Sequence, residues 1–172
     1  YPDSAGNPDL KPELATGIDI AIERYIDGGG VLKKLNIAGG PAQTLCELAV
    51  PAIGGSWNRH GDILLGNVAG GLFRVSENGG PVEQVTTLNE ALTENSHRAP
   101  RFLPDGRRFL FTTRCGERAN NALYLGSLDG PELTRLMPTE AQVILVEPTA
   151  GQPGRLLFYR DGLVFVQPFD TD

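Results

Sequence analysis

The sequence predicts an all-β protein, a partial β-propeller of antiparallel four-stranded blades preceded by an extended N-terminal segment and a β-hairpin. Three observations carry that reading. First, a tight turn recurs. Pro104 fixes φ and Asp105-Gly106 tolerates φ > 0 between Pro100-Arg101-Phe102-Leu103 and Arg108-Phe109-Leu110-Phe111-Thr112, and a similar unit stands at Asn58-Arg59-His60-Gly61-Asp62, 45 residues back from Gly106 to Gly61. Second, a hairpin recurs: Leu32 to Pro41 aligns with Leu72 to Pro81 at a constant offset of 40, and Leu123-Tyr124-Leu125-Gly126-Ser127-Leu128-Asp129-Gly130-Pro131 is a third copy. Third, 22 Gly and 13 Pro in 172 residues, without a collagen period, call for many turns between short strands. A repeat of about 40 to 45 residues built only of strands and turns is the period of a propeller blade.

Bulk composition narrows the function. An apolar share of 40% with 21% charged residues is ordinary for a globular chain. A net charge of -6 leaves no basic footprint for nucleic acid, although Arg98, Arg101, Arg107 and Arg108 form a local patch. No apolar run is long enough for a membrane-spanning helix, so residues 32–172 are not expected to insert directly into a membrane. The start, Tyr-Pro-Asp-Ser, has neither Met nor a signal-peptide pattern, and the sequence reads as an excerpt of a longer protein. Cys46 and Cys115 fall in different blades, so they read either as two free buried thiols or as a pair needing close Cα approach.

Residues 1–31 form the first unit. Two prolines keep the stretch from Asn7 to Glu13 extended. A strand follows, with Ile18, Ile20 and Ile22 on one face and Asp19, Ala21 and Glu23 on the other, and Asp27-Gly28-Gly29-Gly30 then turns into Val31-Leu32. The run Asn7-Pro8-Asp9-Leu10-Lys11-Pro12-Glu13 resembles a loop that precedes late barrel strands in TonB-dependent outer-membrane receptors. The likeness ends near Gly30 to Leu32, where a junction with a different unit is expected.

Residues 32–172 form the second unit: a partial blade at 32–50, blades at 54–88 and 96–136, and a partial blade at 143–170. The expected inner strands are Gly54 to Trp57 with Ile63 to Leu65, and Pro100 to Leu103 with Phe109 to Phe111. The outer hairpins end in Ala42 to Cys46, Val82 to Leu88 and Glu132 to Leu136. Arg155 to Tyr159 and Leu163 to Phe169 flank Arg160-Asp161-Gly162 in the last blade. The segments Gly39-Gly40-Pro41, Gly54-Gly55-Ser56-Trp57, Gly71-Leu72-Phe73-Arg74-Val75, Ser96-His97-Arg98, Phe102-Leu103-Pro104-Asp105-Gly106 and Gln167-Pro168-Phe169-Asp170 resemble WD-repeat-like, TolB-type propeller domains of bacterial proteins. That resemblance implies a binding module, found after serine/threonine kinase domains or alone in the periplasm. Arg59-His60-Gly61 departs from the Pro-Asp-Gly pattern and leaves its turn less strongly specified.

Chemistry-bearing residues are sparse. Gly54-Gly55-Ser56-Trp57-Asn58 is not a Gly-x-Ser-x-Gly nucleophile elbow, and no kinase motif is present. Cys46, His60, His97 and Cys115 lack the short ligand spacings of a zinc site, so neither a metal nor a cofactor is expected. Glu94, His97, Arg98 and Asp105 make the densest polar cluster. They read in two ways: as fasteners that bond loop carbonyls and a carboxylate of the adjacent blade, or as a partner surface on inter-blade loops. Trp57 likewise reads as inter-blade packing or as a carbohydrate platform.

Three function classes follow. A non-catalytic propeller module would present Trp57, His97, Arg98 and Arg101, read as turn residues, to a protein or peptide, and its open blade edges would self-associate. A propeller of a prolyl-oligopeptidase-like hydrolase would need a catalytic domain elsewhere. A TonB-receptor fragment would show more alternating strands and no 40-residue repeat. The repeat favours the first.

Overall fold

The computed structural model describes residues 18–24, 30–36, 39–150 and 152–171. Fourteen described strands form four antiparallel sheets in chain order. Blade 1 comprises β1 (Ile18–Arg24), β2 (Gly30–Asn36) and β3 (Gln43–Leu48). Blade 2 comprises β4 (Ala52–Trp57), β5 (Asp62–Asn67), β6 (Phe73–Ser76) and β7 (Glu83–Gln84). Blade 3 comprises β8 (Glu94–Phe102), β9 (Arg108–Cys115), β10 (Ala122–Ser127) and β11 (Gly130–Pro138). Blade 4 comprises β12 (Ile144–Val146), β13 (Gly154–Arg160) and β14 (Leu163–Phe169). Every sheet is a meander, each strand pairing with its chain neighbour.

The sheets stack face to face, and the pleat explains how. In β5 the consecutive residues Ile63, Leu64 and Leu65 are all buried. Ile63 and Leu65 pack with Leu32, Leu45, Cys46 and Leu48 of blade 1, whereas Leu64 packs with Phe102, Phe109 and Phe111 of blade 3. Strand β9 repeats the pattern: Phe109 and Phe111 face blade 2, and Leu110 faces Leu145, Leu156 and Phe158 of blade 4. Side chains alternate between faces along a strand, so a sheet buried on both sides reads as a continuous apolar run. Each fully buried Leu or Phe contributes about 1.5 to 3 kcal/mol from burial alone.

The two predicted turns share a backbone design. Gly61 N–H donates to Asn58 O and Gly106 N–H to Leu103 O, with φ of +87° and +73° at the glycines. The closing bonds differ: Asn58 N–H reaches Asp62 O, but Leu103 N–H reaches Arg108 O, one residue further on. A second glycine has a packing reason. A Cβ on Gly66 of β5 would lie 2.5 Å from Ile53 O and 2.9 Å from Arg98 Cα, so this glycine lets β5 meet β8 backbone to backbone.

Several boundaries differ from the sequence reading. The inner strand of blade 3 begins at Glu94, well before the expected start at Pro100. Bulges at Glu94/Ser96 and Arg98/Arg101, with Ala99 at φ +50°, hide it by breaking the two-residue period. The outer strand of blade 2 shrinks to two residues; Val85 N–H still bonds Leu72 O, and the chain then leaves the sheet. Blade 4 gains β12 beside the two expected strands. The expected junction near Gly30 to Leu32 falls at the start of β2, whose partner along its whole length is β1, from Ile18↔Asn36 to Arg24↔Gly30. The receptor-like run Asn7 to Glu13 and most of the Asp27 to Gly30 turn lie outside the described residues.

Candidate functional site

The polar groups concentrate where blades 2 and 3 meet. At one end the two turns are tied together. Asn58 Oδ1 accepts from the N–H groups of His60 (2.9 Å) and Asp62 (2.8 Å), which pins its own turn, while Asn58 Nδ2 donates to Gly106 O at 2.6 Å. Asn58 thus supplies the specification that a Pro-Asp pair would otherwise give. His60 Nε2 and Arg59 Nη2 approach Asp105 O at 3.4 Å. Asp105 in turn accepts from the N–H groups of Arg107 (2.7 Å) and Arg108 (2.9 Å) and from Arg108 Nε. Burial works against the Asp105 charge, yet those hydrogen bonds and the Arg108 charge outweigh it and hold the carboxyl below its ordinary range.

In β8, the strand that leads into the second of these turns, His97 is fully buried. Its Nε2 lies 3.1 Å from Glu94 Oε2 and its Nδ1 2.7 Å from Thr86 Oγ1, and its ring centroid is 4.8 Å from that of Phe111. A carboxylate only accepts, so Nε2–H donates to Glu94 and Nδ1 accepts from the Thr86 hydroxyl. Thr86 Oγ1 also accepts from Leu72 N–H at 2.8 Å, and Glu94 Oε2 from Asn89 N–H at 2.6 Å. Two backbone bonds run alongside, His97 N–H to Gly70 O and Gly70 N–H to Asn95 O. Burial pushes the imidazole pKa down, and the hydrogen bond and charge of Glu94 oppose that without cancelling it.

A hydroxyl, an imidazole and a carboxylate in line would suit nucleophilic catalysis. Here Thr86 is only 4% exposed and its hydroxyl is engaged on both sides, so the constellation serves as a fastener between blades 2 and 3. The sequence reading named His97 but missed Thr86, eleven residues upstream with no motif to mark it. It also placed the carboxylate on the adjacent blade. The carboxylate is Glu94, in the same strand as His97.

The other expected site residues separate. His97, Arg98 and Arg101 stand in β8 and Trp57 ends β4, so all four are strand residues rather than turn residues. Trp57 is half-buried against the core between blades 1 and 2, with Lys34 Nζ 5.2 Å from its ring centroid. Arg101 is exposed and reaches across to blade 4, where Nη2 meets Glu147 Oε1 at 2.9 Å. Arg98 is half-buried and bonds Ser96 Oγ at 2.8 Å through Nε. Ser56 Oγ accepts from Phe102 N–H at 3.0 Å and links the inner strands of blades 2 and 3. Cys46 and Cys115 are free and buried, and burial raises both thiol pKa values. Among the described residues no group of three or more His, Cys, Asp or Glu is placed to hold a metal ion.

Stacked antiparallel meanders of three and four strands give the chain the fold of part of a β-propeller, of the kind seen in TolB structures. The crystal structure of TolB from Acinetobacter baumannii superposes with a TM-score of 0.56 at 16% identity, over 86% of this chain and 40% of that one. The structure of putative TolB from Agrobacterium tumefaciens gives 0.64 at 15% identity, over 89% of this chain and 57% of that one. At such identities the likeness is one of fold, and the chain spans roughly half the length of these structures. No family model and no curated protein matches the sequence.

Proposed function

We propose that the chain is a non-catalytic binding and scaffold module, the protein-interaction part of a larger bacterial protein such as a serine/threonine kinase, working in the periplasm or otherwise outside the cytoplasm. The observation that carries this reading is the division of labour in β8. The groups able to do acid-base or nucleophilic chemistry, Glu94, His97 and Thr86, are buried and engaged with one another. Arg101, in the same strand, is open to solvent, and Arg98 is half-buried beside it on the same rigid element. Arginines fixed in this way, together with aromatic anchors such as Trp57, are the residue types over-represented among binding hot spots. The TolB-type fold supports the module reading, and no helix among the described residues is long and apolar enough to cross a membrane.

The test is capture of periplasmic proteins on the immobilised chain. Replacing Arg101 or Trp57 by Ala should weaken capture of a specific protein by roughly 1 to 4 kcal/mol without unfolding the chain. Unchanged capture by folded variants would remove these residues from the interface. Ester or peptide hydrolysis that disappears in Ser56→Ala would overturn the non-enzyme assignment itself.

A further inference from the structure

The two faces of blade 3 treat their charges differently. On the face toward blade 2, Glu94 is engaged by His97 and by the Asn89 N–H. The register runs Ser96↔Arg114, His97↔Thr113 and Arg98↔Thr112 without a break, so the two pairs flanking His97↔Thr113 turn to the opposite face. Directly paired residues share a face and alternate residues do too, so Ser96, Arg98, Thr112 and Arg114 stand together on one side.

The two arginines there are under-neutralised. Arg74, Arg101, Arg107, Arg108 and Arg118 each have a carboxylate partner, but among the described residues neither Arg98 nor Arg114 does. Arg114 Nη1 is buried and is the one buried side-chain polar atom among the described residues without a hydrogen-bond partner. Buried donors are almost always satisfied, and an unpaired guanidinium N–H is among the costlier exceptions. Burial and the nearby Arg114 charge both work against the charge on Arg98. The fully buried Ser96 hydroxyl accepts from Arg98 Nε and fixes the orientation of that guanidinium. Thr112 Oγ1 meanwhile donates to Arg98 O, which holds the strand in place.

We propose that Arg98 and Arg114, with Ser96 orienting the first, form a binding site for an oxyanion, a carboxylate or a phosphate group. Guanidinium forks match both groups through paired N–H donors, and a bound anion would satisfy Nη1 and relieve the repulsion between the two cations at once. The proposal deepens the recognition reading by naming the chemistry of the ligand. Its test uses small anions and no protein partner, so the two can fail separately.

The chain is titrated with sodium succinate in one arm and inorganic phosphate in the other, at constant ionic strength with chloride. Melting temperature and the amide resonances of Ser96, Arg98 and Arg114 are followed. A saturable rise in melting temperature with shifts confined to these amides is expected in at least one arm, and the arm with the tighter midpoint identifies the anion class. Arg114→Met should weaken the midpoint by roughly tenfold to a hundredfold, the loss of a charge-assisted hydrogen bond. The same variant should melt no lower than the parent in chloride alone, because it removes an unpaired buried charge. Arg107→Ala, which removes an exposed arginine paired with Asp129, should leave the midpoint unchanged. Absence of a saturable response in both arms, with dispersed amide resonances proving the fold, overturns the site. So does an Arg114→Met variant that melts lower yet keeps the parent's response, since that result makes Arg114 structural.

Discussion

At the scale of single residues, His97 has the most to lose. Its imidazole is neutral in the fold because burial depresses its pKa, whereas an exposed His in the unfolded chain takes a proton near about 6.5. Between those two pKa values the unfolded state binds more protons. The resulting stability is present above the unfolded value and is lost as the pH falls toward the folded one. His97→Gln should therefore flatten the fall in stability between about pH 7 and pH 5, measured as urea midpoints at both ends. It should also cost roughly 1 to 3 kcal/mol at neutral pH from the broken buried bonds. A variant with the parent's pH slope would show that some other group carries the dependence. Asp105 has the same sign lower down: its depressed pKa stabilises the fold above about pH 4, and that contribution goes as the carboxyl is protonated.

At the scale of elements, the β4–β5 turn owes its stability to a side chain rather than to its turn residues. Asn58→Ala removes the acceptor for two N–H groups and the donor to Gly106 O, and should cost roughly 2 to 4 kcal/mol, read as a shifted denaturation midpoint. A loss no larger than that of an exposed substitution would mean that water replaces those bonds. The contrast between the turns marks what the sequence makes legible. Pro104-Asp105-Gly106 declares its turn through local φ preferences, and the 40-residue offset of the Gly-Gly-Pro segments declares the outer hairpins. Asn58 acts through a contact 48 residues away in the chain, Thr86 through one eleven residues away, and Ser96 to Arg114 through strand register. None of these leaves a local pattern. Strand β8 was only half legible because its two bulges disrupt the alternation by which strands are recognised.

At the scale of the whole molecule, the stack is finished in the middle and open at blade 4. Across β12, β13 and β14 the register sets Ile144, Leu157 and Val166 in one row and Tyr159 beside Val164, on the face turned away from blade 3. Val164 is 69% exposed and β14 carries no charged residue, so apart from Pro168 near its end its edge lacks the usual protection against strand pairing. The chain should self-associate in proportion to its concentration in sedimentation experiments, and Val164→Lys with Val166→Lys should return it to a monomer. A monomeric parent at high concentration would show that this face tolerates water.

The central pair of blades behaves differently. Leu72 donates its N–H to Thr86, Thr86 engages His97, and His97 donates its own N–H to Gly70, so a circuit joins the segments just before the third strand and just after the fourth strand of blade 2 to the first strand of blade 3. Neither blade can open there without breaking bonds that belong to the other. In hydrogen exchange the amides of Leu72 and His97 should lose protection at one common denaturant concentration, as a single foldon that outlasts blades 1 and 4. During synthesis, blade 2 can then reach its full protection only after the ribosome has released the chain as far as β8.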